Sequence, residues 1–350
     1  MHLNRIDLIM FMTKKTLFSI VSAFIVVWQI CVPSAHAAAP SEDHEPWSRI
    51  TVNKPVIAHN GDVQLFSESF GDSKHPPVLL IMGLGSQGFL WDDAFCQGLV
   101  RENLFVVRYD HRDTGESTRV DNAYTVSDMA KDAVSVLESY KIPKAHIVGL
   151  SLGGQIAQFM GADFPDVVSS LTLISTTLSF EPFLNAVLEK PAEIVLADGS
   201  TLSRPNPAYI EWAKRAIKPD QTRKELEADF VKRWWWFNGR EIAFNEAFYQ
   251  KKAKFAFDNP NMRNTCPNHT KAIMASCEAH KQVLSKIKAP TSIFHGTGDT
   301  LFPPDHASAL AKAIQGSKLE ILDKMGHNLH PYFYDKIIQS IMAQVKSHQS

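Results

Sequence analysis

Short apolar runs alternate with amphipathic segments through most of this 350-residue chain. The runs PPVLLIMG (76–83), LFVVRYD (104–110) and AHIVGL (145–150) are mostly apolar. Segments with helical periodicity lie at 89–100 and 125–142. A strand buried on both faces reads as a continuous apolar run, so this alternation predicts an α/β fold, a mostly parallel sheet covered by helices on both faces.

Further elements extend the pattern towards both ends. Two strands are predicted on either side of the Asn60-Gly61 pair, a strong hairpin-turn signal. Together with later segments they predict a sheet of eight strands. The remaining predicted elements are strands at 168–176, 290–296 and 318–323, a helix starting near Ser127 or Asp128, a helix from SLGGQIAQFMGADFP (151–165), a helix with Pro304 in its first turn, and a last helix over 332–347.

The strand pattern stops between residues 178 and 288, which we call the insertion. Helical, aromatic-rich segments replace it, including the run Trp234-Trp235-Trp236. Ligands of such sheets bind beyond the carboxyl ends of the strands, so an insertion at that edge predicts a helical cap over the site. The sheet domain is then built from residues 38–177 and 289–350. Most of the aromatic side chains are expected to form the cap's own core, and a minority to face the pocket.

The N-terminus has the pattern of a secretory signal rather than of the fold. Two lysines after Met12 precede an apolar run, Leu17 to Val32, and the small-x-small triplet Ala35-His36-Ala37. We predict cleavage after Ala37, so that residues 1–37 are a signal peptide and the mature protein is periplasmic or secreted. An uncleaved membrane anchor and a lipidated Cys31 are the alternatives, and translation from either Met1 or Met12 stays open.

Charge and cysteine content exclude several classes of protein. The 36 basic and 37 acidic side chains give a net charge of −1, which does not favour nucleic acid as a partner. Three cysteines follow the predicted signal, and no CxxC pair suggests a structural zinc site. Cys266 and Cys277 are close enough in sequence to form a disulfide in an oxidising compartment, whereas Cys96 lies in an apolar helical stretch. No metal or cofactor is predicted, and the oligomeric state stays open.

A serine lies between two glycines at the junction of a predicted strand and a predicted helix. The segment is Gly149-Leu150-Ser151-Leu152-Gly153. A nucleophile at such a sharp turn takes a strained backbone conformation with its hydroxyl exposed above the sheet, and small flanking residues let neighbouring chain approach. The helix N-terminus that follows favours developing negative charge. Ser151 is therefore the predicted nucleophile.

A serine hydroxyl needs a general base, and the base needs an orienting carboxylate. The chain order expected on this fold is serine, acid, histidine. Asp299 follows the second-to-last predicted strand and His327 follows the last, so both are expected at the same edge of the sheet as Ser151. The weaker candidates that stay open are His330 as base and Asp305 or Asp323 as acid.

The segments IMGLGSQGFLWDDAF, RYDHRDTGEST and HIVGLSLGG resemble the aclacinomycin methylesterase-like branch of the α/β-hydrolases, whose members cleave small esters. The resemblance covers residues 55–177 and 289–345, and the insertion matches only as an insertion. It implies the triad Ser151, Asp299 and His327, with an oxyanion hole formed by the backbone N–H groups of Leu84 and Leu152.

Two local departures from that family pattern concern loops around the site. Many relatives carry His-Gly at the end of the third strand where this chain has Met82-Gly83, although a backbone donor does not require that histidine. In DHRDTGES, Asp113 replaces a glycine of the commoner motif. We interpret Asp110, Arg112 and Ser117 as residues that brace the loops at the strand ends.

The site predicts a hydrolase of small or medium-sized apolar carboxylic esters, with a lipase or a peptidase as the alternatives on the same triad. A catalytically silent ligand-binding protein of the same fold is the alternative from another class. A dinucleotide-binding protein is less favoured. Residues 83–88 read G-x-G-x-x-G after a strand, and Asp110 ends the next strand at about the spacing of a ribose-binding acid. That hypothesis leaves the serine, histidine and aspartate unexplained.

Overall fold

The computed structural model describes residues 52–215, 221–239, 241–258 and 267–349. The predicted signal peptide, Cys31 and Cys266 lie outside these ranges. The strands are β1 (Val56–Asn60), β2 (Val63–Phe70), β3 (Pro77–Ile81), β4 (Phe105–Tyr109), β5 (Ala145–Leu150), β6 (Val168–Ile174), β7 (Ile194–Val195), β8 (Thr201–Leu202), β9 (Thr291–Gly296) and β10 (Lys318–Leu322). The α-helices are α1 (Asp93–Arg101), α2 (Val126–Ser139), α3 (Leu152–Asp163), α4 (Glu181–Val187), α5 (Pro207–Arg215), α6 (Arg223–Phe237), α7 (Glu246–Asp258), α8 (Pro267–Val283), α9 (Pro304–Ala313) and α10 (Tyr334–Gln349).

Eight strands form one sheet in the order β1-β2-β4-β3-β5-β6-β9-β10. The β1–β2 and β2–β4 pairs are antiparallel, and every later pair is parallel. The predicted eight-stranded, mostly parallel sheet is confirmed. Because β3, β5, β6, β9 and β10 run in the same direction, their carboxyl ends meet at one edge.

Alternate residues of the central strands enter two separate cores. In β3, Leu79 and Ile81 pack with α2, α3 and α9, whereas Val78 and Leu80 pack with α1 and α10. Successive side chains of a strand point to opposite faces, so a sheet covered on both sides needs apolar residues at every position. This is the physical reason for the continuous apolar runs in the sequence.

Most predicted elements are confirmed within a few residues of their bounds, with two differences. Helix α2 is capped by Thr125, whose hydroxyl and backbone form a capping box with Asp128, so Ser127 and Asp128 lie inside the helix. The insertion also contains a short hairpin of β7 and β8, which the sequence analysis did not predict. Within the described residues, no helix combines the length and the apolar character needed to cross a bilayer.

The insertion supplies α4 to α8 between β6 and β9. Its aromatic side chains mostly pack on one another: the Trp234 ring stacks on Tyr249 at 5.1 Å, and Tyr249 stacks on Phe244 at 5.0 Å between ring centres. Trp235 remains 41% exposed. Most of the aromatic cluster is therefore a local core, as expected for the majority of these residues.

Candidate active site

Ser151 forms the turn between β5 and α3 in a left-handed backbone conformation, with φ 56° and ψ −117°. Its N–H donates to Ile174 O at 3.0 Å, and its carbonyl accepts from Thr176 Oγ1 at 2.8 Å. A non-glycine residue in such a region costs about 1–3 kcal/mol and persists only where its surroundings fix it. Here strand β6 and the residues after it supply that support, as the predicted sharp turn requires.

The two glycines that flank Ser151 are required by close backbone contacts. A Cβ at Gly149 would lie 2.3 Å from Gly153 O, and one at Gly153 would lie 2.0 Å from Ile81 O. Both distances are far shorter than van der Waals contact, so no side chain fits at either position. The G-x-S-x-G spacing therefore follows from the approach of β3 and α3 to the turn.

Asp299 and His327 form a buried hydrogen-bonded pair at the same edge of the sheet. Asp299 Oδ2 lies 2.8 Å from His327 Nδ1. The other carboxylate oxygen accepts from the N–H groups of Leu301 and Phe302 at 2.8 and 3.0 Å. The acid and base predicted from the sequence are thus brought together, although 28 residues separate them.

The Asp299 carboxyl stays acidic although it is buried. Burial raises its pKa, but the neighbouring charge of His327 and its hydrogen bond, together with His295 and the Phe302 amide, outweigh burial and hold the pKa below its usual value. His295 Nε2 lies 3.4 Å from Asp299 and 2.7 Å from Phe302 O. An ionised Asp299 accepts a hydrogen bond from His327 Nδ1–H. This bond leaves Nε2 as the basic nitrogen of the ring.

Ser151 and His327 are both buried and both follow strand ends, at β5 and β10. In the described part of the chain, no hydrogen bond joins the Ser151 hydroxyl to His327. Such contacts are often long before substrate binds and tighten in the reacting complex. The structure thus joins Asp299 and His327 by a hydrogen bond, and the complete triad with Ser151 stays a prediction.

The two predicted oxyanion donors belong to residues next to Ser151 or next to a residue that contacts it. Leu152 is the first residue of α3, where backbone N–H groups have no partner within the helix. Gly83, next to Leu84, approaches so closely that a Cβ there would lie 3.4 Å from Ser151 Cβ. Neither Leu84 N–H nor Leu152 N–H donates to a backbone carbonyl of the described residues.

The rival acid and base candidates have other partners. His330 Nδ1 accepts from Tyr332 N–H at 3.1 Å and caps the turn before α10. Asp305 accepts from Ser203 N–H at 2.6 Å, and Asp323 accepts from Thr297 Oγ1 at 3.2 Å. Asp299 is therefore the carboxylate of this set that contacts His327.

Asp110 is buried, and its carboxylate is bonded to the backbone of two loops. Its two carboxylate oxygens accept from Gly88 N–H at 2.7 Å and Glu116 N–H at 3.0 Å, and the residue is only 2% exposed. Ser117 Oγ donates to its carbonyl at 2.7 Å. These contacts agree with the interpretation of Asp110 and Ser117 as bracing residues, and they engage both carboxylate oxygens of the acid that the dinucleotide hypothesis assigns to the ribose.

Asp113, which replaces the glycine of the commoner motif, takes a left-handed conformation with φ 67°. Its carboxylate accepts from Val120 N–H at 2.6 Å, Tyr124 Oη at 2.7 Å and Asn268 Nδ2 at 3.3 Å. Aspartate tolerates this conformation better than most residues do. The departure therefore adds a link between this loop and α8 of the insertion.

The sequence analysis missed two side chains of the insertion that contact the site. Phe237 packs edge-to-face on His327, with ring centres 5.1 Å apart. His269 Nδ1 lies 3.3 Å from the Gly85 N–H in the loop after β3. The His269–Gly85 pair spans 184 residues, so no local pattern predicts it.

The comparisons with known proteins agree with this fold. The family model of the α/β-hydrolase fold matches residues 76–333. Rhodomycin D methylesterase DnrP of Streptomyces peucetius is 30% identical over 300 residues, covering 82% of this chain and 97% of that protein. The putative carbamate hydrolase RutD of Azorhizobium caulinodans is 26% identical, covering 77% of this chain and 90% of its own.

Two solved structures share the fold. The 2-hydroxy-6-oxo-6-phenylhexa-2,4-dienoate hydrolase BphD of Rhodococcus sp. strain RHA1 superposes with a TM-score of 0.65 at 18% identity, covering 85% of this chain and 99% of that chain. The esterase EaEST of Exiguobacterium antarcticum gives 0.65 at 20% identity, covering 84% and 100%. This chain belongs to the α/β-hydrolase family. Within it, the resemblance to the methylesterase branch is confirmed, and the protein is a hydrolase of the esterase type.

Proposed function

We propose that this protein is an exported carboxylic-ester hydrolase that works through an acyl-enzyme on Ser151. The observation that carries the proposal is the buried Asp299–His327 pair, 2.8 Å apart, at the sheet edge where Ser151 takes its left-handed turn. A serine at such a turn and an oriented histidine are the parts that acyl transfer needs. The three residues occur in the chain order expected for this fold.

In this mechanism Ser151 Oγ attacks the ester carbonyl carbon while His327 Nε2 accepts the hydroxyl proton. Asp299 accepts the hydrogen bond from His327 Nδ1–H and stabilises the imidazolium that forms. The N–H groups of Leu84 and Leu152 donate to the oxyanion. His327 then gives its proton to the departing alcohol, and a water molecule activated by the same nitrogen hydrolyses the acyl-enzyme.

We propose a small or medium-sized apolar ester as the substrate, and a methyl ester as the first one to test. The relatives named rhodomycin D methylesterase support a small alcohol group. The partly buried aromatic ring of Phe237, at 5.1 Å from His327, supports an apolar acyl group. The relatives named putative carbamate hydrolases make a carbamate the second substrate class to include.

The direct test combines labelling by a fluorophosphonate with hydrolysis of a panel of esters. The panel pairs methyl and ethyl esters of apolar acids with a long-chain ester, an amide and a carbamate. Labelling of Ser151 with preferred hydrolysis of short apolar esters supports the proposal. Preference for the long-chain ester or the amide identifies a lipase or a peptidase instead, and absence of both labelling and turnover identifies a silent ligand-binding protein.

We expect Ser151 and His327 to act as one catalytic unit. Replacing either by alanine should lower kcat by about 10⁶-fold, and the double variant should be little worse, because both residues serve the same step. His330→Ala is the matched control and should keep its activity, since His330 contacts the turn before α10. Substantial esterase activity in Ser151→Ala would show that another residue is the nucleophile.

A further inference from the structure

The loop after β3, residues 82–88, carries one of the two proposed oxyanion donors, and we call it the oxyanion loop. Leu84 N–H belongs to it, and Gly83 lies against Ser151. An oxyanion donor works only if it is held about 2.7–3.1 Å from the developing charge. Whatever fixes this loop therefore fixes the donor.

Two buried histidines hold the oxyanion loop on either side of Leu84. His111 Nε2 lies 2.8 Å from Met82 O, and His269 Nδ1 lies 3.3 Å from Gly85 N. The two rings meet edge-to-face with centres 5.5 Å apart. His111 follows β4 of the sheet domain, whereas His269 lies in α8 of the insertion.

The partners of His269 require one tautomer. The Gly85 N–H can only donate, so Nδ1 must be the acceptor, and Nε2–H donates to Arg112 O at 2.9 Å. Burial, together with the neighbouring His111, lowers the pKa of His269 to about 3. The ring is therefore neutral near neutral pH, and its Nδ1 remains available to Gly85.

Helix α8 is bonded to the sheet domain at its first turn and at its middle. Asn268 Nδ2 donates to Val120 O at 2.8 Å. Seven residues after His269, on the same face of the helix, Ser276 Oγ accepts from Val126 N–H at 2.9 Å. A residue of the insertion thus contacts the oxyanion loop from a helix that is attached to α2.

We infer that His269 is a positioning residue for catalysis, which acts through Gly85 to orient the Leu84 N–H towards the oxyanion. This inference rests on the proposed function, because it assigns Leu84 to the oxyanion hole. It predicts that the acceptor on Nδ1 is essential for rate, whereas the donor on Nε2 contributes to stability.

Two substitutions separate these roles. His269→Asn keeps an acceptor near the position of Nδ1 and loses the donor to Arg112 O. His269→Gln keeps a donor near the position of Nε2 and loses the acceptor for Gly85. Ser276→Ala is the control, since it removes a contact of the same helix without touching the oxyanion loop.

We expect His269→Gln to lower kcat for an activated acetate ester by about 100-fold with little change in KM, the effect of a misplacement of ~1 Å. His269→Asn should recover most of that rate. Affinity for a trifluoromethyl ketone, which forms a tetrahedral adduct on the serine, should fall in parallel with kcat/KM. Ser276→Ala should lower the Tm while kcat stays near that of the unaltered protein.

Equal rates in the Asn and Gln variants, or losses that follow Tm across all three variants, would overturn the inference and make His269 a packing residue. Ser151→Ala is measured in the same series. If it keeps substantial activity, the proposed function itself fails. If it is inactive while His269→Gln is as fast as the unaltered protein, only the role of His269 fails.

Discussion

At the scale of single residues, the site depends on carboxylates whose surroundings decide their roles. Asp299, Asp305 and Asp323 all follow one of the last two strands, and the sequence alone does not distinguish their side chains. Asp299 differs because two backbone N–H groups and His327 converge on it. The role of a carboxylate is thus set by the donors around it, which the sequence does not display.

Asp299→Asn should lower kcat by about 10⁴-fold without unfolding the protein. An amide at this position no longer favours the His327 tautomer that carries the proton on Nδ1, and a comparable change in another Ser-His-Asp enzyme has an effect of that size. Steady-state hydrolysis of a short ester measures it. Asp305→Asn and Asp323→Asn are the matched controls, and a loss below tenfold in Asp299→Asn would assign the acid to one of them.

Asp113 allows backbone strain and hydrogen bonding to be separated in one position. Asp113→Gly should relieve the left-handed conformation but lose the bonds from Val120, Tyr124 and Asn268, whereas Asp113→Ala should lose the bonds and keep the strain. We expect Asp113→Ala to be less stable than Asp113→Gly by about 1 kcal/mol, and both to be less stable than the unaltered protein because each lost bond contributes about 1 kcal/mol. Urea unfolding measures the order. A glycine variant as stable as the unaltered protein would show that the three bonds contribute no more than the strain that glycine relieves.

At the scale of elements, the strands, core helices and chemistry-bearing turns followed from local sequence. A strand buried on both faces can be recognised in the sequence as an apolar run. The sharp turn at Ser151 can be recognised from the glycines that flank it. The contact of α8 with the oxyanion loop could not be predicted, because His269 and Gly85 are distant in sequence. The β7–β8 hairpin was missed because its strands have two residues each, too few for a periodic pattern.

The sequence predicted a helical cap over residues 178–288, and the contacts of α8 limit how much of it can move. His280 Nε2 lies 2.6 Å from Gln158 Oε1, and its Nδ1 lies 2.9 Å from Gln155 Nε2, so α8 is bonded to α3 as well as to α2. Any motion that opens the site is expected in the elements before α8. The Cys277 Sγ–H donates to Ile273 O at 3.3 Å. Cys266 lies outside the described residues, so the Cys266–Cys277 disulfide stays a prediction.

Phe237 is the cap residue expected to influence ester selectivity. It ends α6, and its ring contacts His327 at 5.1 Å. Phe237→Leu should shift the ratio of kcat/KM between long and short acyl groups while fluorophosphonate labelling of Ser151 continues. Trp235→Leu is the matched control, because this ring is 41% exposed and lies over Lys232. An unchanged ratio in Phe237→Leu, or an equal shift in Trp235→Leu, would show that Phe237 does not determine ester selectivity.

At the scale of the whole molecule, the predicted cleavage of the signal peptide determines which residues the exported protein keeps. Residues 1–37 lie outside the described fold, whose described part begins at Val52. Lysines, an apolar run and Ala35-His36-Ala37 are the parts that a signal peptidase substrate needs. The sequence therefore predicts that Ser151, Asp299 and His327 belong to the exported part of the chain.

The full-length gene product, expressed in a bacterial host, should be cleaved during export. The protein recovered from the periplasm or the medium should then begin at Ala38. Mass spectrometry of the intact protein measures the new N-terminus. Ala37→Trp should accumulate as the uncleaved precursor, because the cleavage site requires small residues, whereas Ala39→Trp should be processed as before. An intact N-terminus in the membrane fraction would instead identify an anchor, and equal processing of the two tryptophan variants would place the cleavage elsewhere.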